Sequence, residues 1–326
     1  MRCGDLFAYT LRVEKQRDWR AEFDADLNRK HWETLGPAAT FSAFNTTARA
    51  ALAEAEGRVE ALTGFDMDRD SRMVFQRTRA ILVEQIRREP KFAASALEDA
   101  VGRLERVSVL SADQYVEAYV TRERAPGSTI PEAEVRARAY RAYHASCGRH
   151  GLNNNAFFDR GAVVLCPGLF LEAHSYGASR RDALDALSFT VAHELGHVLD
   201  SSVYPAAYGD LGQCYRAITG TAQVWIPGLA DEISADHWGA VVLSEVLNAR
   251  SDGPPPPDQV VRIIAYATGN FGIRDEDAGE VEHPPAQFRI NQTIARHPVM
   301  VQLLGCPAAG ERNPACTLQG RLPTAG

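Results

Sequence analysis

The chain has 326 residues, of which 45% are apolar and 24% charged, and a formal net charge of −7. That length can bury a core without staples, and that composition argues against wholesale disorder. The acidic balance argues against a broad electrostatic footprint for nucleic acid, and the lack of any run of 18 apolar residues argues against a membrane span.

Residues 11 to about 147 read as helices, with apolar positions at helical spacing. One helix runs from Asn45 or Thr46 to Leu62 and stops at Gly64. Another runs from Asp70 to Arg88 and stops before Pro90. Pro126, Gly127 and Pro131 break the pattern ahead of a helix over roughly 132–146. The character changes at Gly151, dividing the chain into a helical N-terminal region, 1–147, and a second region, 148–326. Asn155 to Cys166 reads as two short strands around a turn at Arg160-Gly161. Ser179-Arg-Arg-Asp182 gives a capping-box-like start to a helix that runs to about Leu199, with an apolar stripe of Leu184, Leu187, Ser188, Val191, Leu195 and Val198, and a later helix covers 230–248. The run Pro254 to Pro257 reads as an exposed turn or linker.

The helix ending near Leu199 carries His193-Glu194-Leu195-Gly196-His197, an HExxH match. Residues four apart share a helical face, so both imidazoles can meet one ion. They lie about 200° from Val191 and Leu195, away from the packing stripe. Glu194 sits where it can take the proton of a water that zinc activates. A metzincin would place Gly at 200 and His at 203; Asp200 and Val203 stand there instead. The third ligand is therefore sought on a later helix, in Glu232-Ile-Ser-Ala-Asp236, where Glu232 can ligate and Asp236 can hold the remaining N–H of a ligand His. Asp200 can do the same for the other His. His237, about 100° off that face, reads as structural or surface.

Taken together, these residues resemble the catalytic domain of the neprilysin family of zinc peptidases. Asn155-Ala156-Phe157-Phe158 resembles that family's substrate-binding segment, and Ala162 to Pro167 the strand after it. His283 to Asn291 resembles its late His…Phe-Arg-(Val/Ile)-Asn segment, and Cys3 to Tyr9 its opening. The resemblance implies an α+β, mainly helical fold: a zincin-type (gluzincin) domain with a small mixed sheet and an HExxH active-site helix, behind a helical N-terminal region. It implies one zinc per chain on His193, His197 and Glu232, with Glu194 as general base, Asp236 orienting a ligand His and His283 stabilising the oxyanion. Arg289 would grip a substrate carbonyl. Asn155 and the backbone of Ala156 would hold a peptide or small protein substrate as a strand beside Val163 and Val164. Residues 11–147 are too few for the family's full lid, and a reduced version is expected.

Six cysteines fit disulfides without fixing a pairing, and composition alone slightly favours buried free thiols. The resemblance implies Cys3 with Cys306 and Cys214 with Cys316, with Cys147 and Cys166 left to pair or stay free. Such bridges imply an extracytoplasmic protein, although no signal precedes Cys3 and a cytoplasmic location stays open. The implied activity is hydrolysis of peptide bonds on the amino side of hydrophobic residues. The alternative is a zinc-binding pseudo-peptidase that holds peptides without turnover.

Overall fold

The computed structural model describes residues 5–36, 39–124, 129–220, 225–269, 283–306 and 316–321. In chain order the elements are α1 (Leu6–Thr10), α2 (Trp19–Leu27), α3 (Phe41–Thr63), α4 (Met67–Arg88), α5 (Ala94–Arg106), β1 (Ser108–Leu110), α6 (Ala112–Glu123), α7 (Glu132–Cys147), β2 (Ala156–Asp159), β3 (Ala162–Leu165), α8 (Gly168–Ser175), α9 (Arg180–Gly196), α10 (Pro205–Thr219), α11 (Leu229–Asn248), α12 (Pro257–Ala267), α13 (Ala286–Phe288), α14 (Pro298–Leu303), β4 (Cys316–Thr317) and β5 (Gly320–Arg321). A 3-10 turn, His197–Leu199, continues α9, and a π-helical segment, Arg289–Ile294, continues α13. The chain is thus mainly helical with a small mixed sheet. No described helix is long and apolar enough to cross a membrane.

These elements form two compact units, each assembled from separated stretches: 1–14, 74–107 and 184–326 in one, 15–73 and 108–183 in the other. The expected division at 147/148 falls inside the second unit. The reason is local: the Cys147–Cys166 disulfide and the pairing of β1 with β3 join residues on both sides of it.

In the second unit, α3 starts at Thr40, whose hydroxyl accepts from the Ala43 N–H, and stops at Gly64, which takes the left-handed φ of 71°. Helices α3, α6 and α7 bury a shared core that includes Leu52, Tyr115, Val135, Tyr140 and Tyr143, and β3 closes it through Val164 and Cys166. The turn between β2 and β3 places Arg160 at φ 47° and Gly161 at φ 88°, the two positive angles that a two-residue hairpin turn needs. Pro126 and Gly127 lie outside the described residues. The sheet order is β1-β3-β2, with β1 parallel and β2 antiparallel to β3. Val163 and Val164 are therefore paired on both sides, which corrects the expectation of an added strand beside them. The open antiparallel edge belongs to β2. Cys166 N–H donates to the Asn155 carbonyl, so hydrogen-bonded positions alternate from there, and the main-chain groups of Ala156 and Phe158 point outward.

In the first unit, α9 differs from the one-sided helix the stripe suggested: every residue from Leu184 to Gly196 is buried. Helix α11 is buried almost throughout as well. The two approach closely because glycines permit it. A Cβ on Gly196 would stand 2.8 Å from the Ala235 Cα, and one on Gly239 would stand 2.8 Å from the Phe189 ring. The proline run is not simply a linker, since Pro257 opens α12 and Pro255 is buried. The Cys214–Cys316 disulfide ties α10 to the β4–β5 hairpin. Cys306 is also disulfide-bonded, and Cys3 lies outside the described residues.

Candidate metal centre

The end of α9 and the first turns of α11 bring His193, His197 and Glu232 together, with one ligand atom from each lying within 4.8 Å of the others. The Glu232 carboxylate stands 3.4 Å from His193 Nε2 and 3.7 Å from His197 Nε2. The two imidazole rings are nearly perpendicular, with centroids 5.0 Å apart.

Both Nε2 atoms face the carboxylate because both Nδ1 atoms are engaged elsewhere. His193 Nδ1 bonds Asp236 Oδ1 at 3.0 Å, and His197 Nδ1 bonds Asp200 Oδ1 at 3.1 Å. A carboxylate on one ring nitrogen fixes the tautomer and leaves the other nitrogen's lone pair directed inward. Asp236, wholly buried, also accepts from Arg289 Nε at 2.7 Å and Nη2 at 2.8 Å. Its charge is thus balanced by a fork of donors and shared with the ring it orients.

Two contacts not visible in the motif set the position of Glu232. The neighbouring Asp231 accepts from Ser201 Oγ at 2.8 Å and from the Ser202 N–H at 2.9 Å, which ties the start of α11 to the chain just beyond His197. Gly196 then lets α11 come close, as above. An acidic residue beside the expected ligand, and a glycine inside HExxH, were the available signals for both.

The electrostatics suit a cation. Burial lowers the basicity of His193, but Asp236 and Glu232 more than offset it and hold the ring up at about 10. Burial likewise opposes the charge on His197, and its bond to Asp200 overcomes that, so its pKa is raised. Burial would raise Glu232, but the close approach and charge of His193, with His197 and His283 nearby, bring it down to about 2. Burial raises Glu194, which is 7% exposed, against the pull of His193 and His197. The Glu232 Oε2 atom is buried and faces two imidazole nitrogens, His193 Nε2 at 3.4 Å and His283 Nε2 at 3.3 Å, without a well-formed hydrogen bond to either. A buried carboxylate oxygen left in that state is costly unless a cation takes it. Two imidazoles and a carboxylate converging in this way could hold a metal ion, and the donor set is one that zinc accepts while keeping a position open.

The other expected residues divide into two groups. His283 joins the cluster: its Nε2 lies 3.3 Å from Glu232 Oε2, and its side chain is partly exposed. Arg289 is buried and holds Asp236. Asn155 and Ala156 belong to the second unit. There the Asn155 side-chain amide donates to the Ser146 carbonyl at 3.1 Å, and Ala156 begins the open edge of β2. His237 is buried beside His297, with ring centroids 6.4 Å apart, rather than at the surface. No family model matches the chain, and no curated protein matches it.

Proposed function

We propose that the chain is a zinc-dependent peptidase of the neprilysin type. What carries the reading is the convergence of His193, His197 and Glu232, each histidine held at Nδ1 by its own carboxylate, with the buried Glu194 beside them. Zinc held there would supply an activated water of pKa about 7 and would polarise the carbonyl under attack. Glu194 has its pKa raised by burial, which moves a carboxylate toward the neutral range where a general base both accepts and returns a proton. It takes the proton of the attacking water and delivers it to the departing amine. His283, within reach of Glu232, donates to the oxyanion as charge builds there. Arg289 is anchored by Asp236 and meets a substrate carbonyl. Within the second unit, the outward main-chain groups of Ala156 and Phe158 on the open edge of β2 can take an extended peptide as an added strand, the role that the resemblance gives Asn155 and Ala156.

The two disulfides Cys147–Cys166 and Cys214–Cys316 support an extracytoplasmic setting, where such bonds persist. The substrate class is a peptide cut on the amino side of a hydrophobic residue. The test pairs two variants. Glu194→Gln should keep one zinc per chain and lose turnover, and Glu232→Ala should lose the metal. Full turnover in Glu194→Gln would refute the mechanism.

A further inference from the structure

Two segments singled out in the sequence have no part in this chemistry: the opening around Phe7 and the late Asn291. They meet. The Phe7 N–H donates to Asn291 Oδ1 at 2.8 Å, across a sequence separation of 284 residues. Asn291 is 5% exposed and sits in the π-helical segment Arg289–Ile294, two residues after Arg289. Arg289 grips Asp236 through two donors, and Asp236 holds His193 Nδ1. Helix α1 packs on that same segment and on α12, with Leu6 fully buried, and the segment in turn packs on α11.

We infer that Asn291 is a positioning residue for the metal centre, and that the N-terminal helix supports the site through it. Arg289 reaches Asp236 only if the π-helical segment keeps its place along α11. That segment is held by packing between α11 on its inner side and α1 on its outer side, and α13 before it is only three residues long. A buried side-chain acceptor that takes an N–H from a distant helix fixes the segment on its outer side, as Asp236 fixes it on the inner side. Losing that bond leaves a donor and an acceptor unmade and lets the segment shift. The shift would be felt at His193, whose ring is set by Asp236. Partners outside the ligand shell change metal affinity 10- to 100-fold. Asn291 acts two steps beyond Asp236, through the segment that carries Arg289, so the low end of that range, about tenfold, is expected.

This rests on the metal reading and not on turnover, so the readout is metal binding in the full chain. Zinc affinity is measured against a chromophoric chelator, and the visible spectrum is recorded with cobalt in place of zinc. Phe7→Pro removes the N–H at the second residue of α1, where proline is tolerated. Asn291→Leu removes the acceptor at similar volume. Val59→Ala, a buried truncation in the second unit, controls for general loss of stability. Both site variants should bind zinc about tenfold more weakly with an altered cobalt spectrum, and the control should match the parent. If Asn291→Leu does not fold, Phe7→Pro decides. A folded Phe7→Pro that binds zinc within twofold of the parent with an unchanged cobalt spectrum overturns the inference, as does an equal loss in Val59→Ala. A parent chain that binds no zinc overturns it together with the proposed function. Zinc binding without peptidase activity would sink the peptidase reading alone.

Discussion

Asp236→Asn tests how far the centre depends on a residue that touches no metal. Asp236 is 0% exposed and accepts three hydrogen bonds, from His193 Nδ1 and from Arg289 Nε and Nη2, at 2.7 to 3.0 Å. Asparagine keeps the shape but offers one acceptor oxygen instead of two and no charge. One Arg289 donor is then opposed by an amide, and the buried guanidinium loses its counter-charge. Breaking a buried pair from one side costs about 3–5 kcal/mol of stability, and losing the partner of a ligand His costs about 10- to 100-fold in metal affinity. The pH dependence gives a second signature. With Asp236 in place the metal-free His193 holds its proton up to about 10, so zinc must displace a proton throughout the neutral range. Zinc affinity of the parent should then climb about tenfold per pH unit between pH 7 and 9 from this group. In the metal-free protein the same ring stabilises the fold fully below about pH 6.5 and loses that contribution as pH rises toward 10. Asp236→Asn removes the carboxylate that sustains the proton, so its slope with pH should flatten and its affinity deficit should widen from pH 6.5 to pH 9. Calorimetry of zinc binding in buffers of different ionisation enthalpy reads both the affinity and the protons released. The reasoning fails if Asp236→Asn binds zinc within twofold of the parent with the same pH slope.

Other consequences can be checked alongside. Burial holds His237 at about 3 and His297 at about 4, both below their unfolded value, so they stabilise the fold above about pH 6.5 and progressively less as pH falls. By pH 4.5 the pair should cost about 5 kcal/mol, read as a falling melting temperature; a flat profile between pH 6.5 and 4.5 would contradict this. Gly196→Ala places a methyl 2.8 Å from the Ala235 Cα, which should cost about 1–3 kcal/mol and weaken zinc binding by pushing α11 from α9; denaturant midpoints and zinc titration report it. Breaking Cys214–Cys316 by double serine substitution frees a separation of 102 residues and should cost about 5 kcal/mol, seen in urea melts.

The convergence of His193, His197 and Glu232 is legible in the sequence because four-residue spacing on a helix is a local rule. HExxH and Glu232-to-Asp236 each place two side chains on one face, and Asp200 falls one turn beyond His197. What joins the helices was not readable. The Asp236–Arg289 pair spans 53 residues, and the Phe7–Asn291 bond spans 284. No periodicity links residues that far apart. The burial of α9 all round is illegible for a related reason: acidic Asp185 lies off the apolar stripe, yet it is neutralised inside by Arg77 and Arg250. Strand β1 has only three residues, too few to show alternation, and it exists because β3 offers it a parallel edge. Helix α12 lies behind a proline run that reads as a linker, although Pro256 is its N-cap and Pro257 its first residue. The strands β2 and β3 were found because Arg160-Gly161 is a turn signal in itself. Which edge stays open depends on β1, which the sequence did not reveal.

The most direct test is turnover itself. Zinc-loaded protein is incubated with a quenched-fluorescent peptide library and compared with the chelated protein and with Glu194→Gln. Cleavage before hydrophobic residues is expected from the zinc-loaded parent and none from the other two. Intact peptides throughout, from a chain that carries one zinc, would contradict it and leave a zinc-binding peptide carrier in its place.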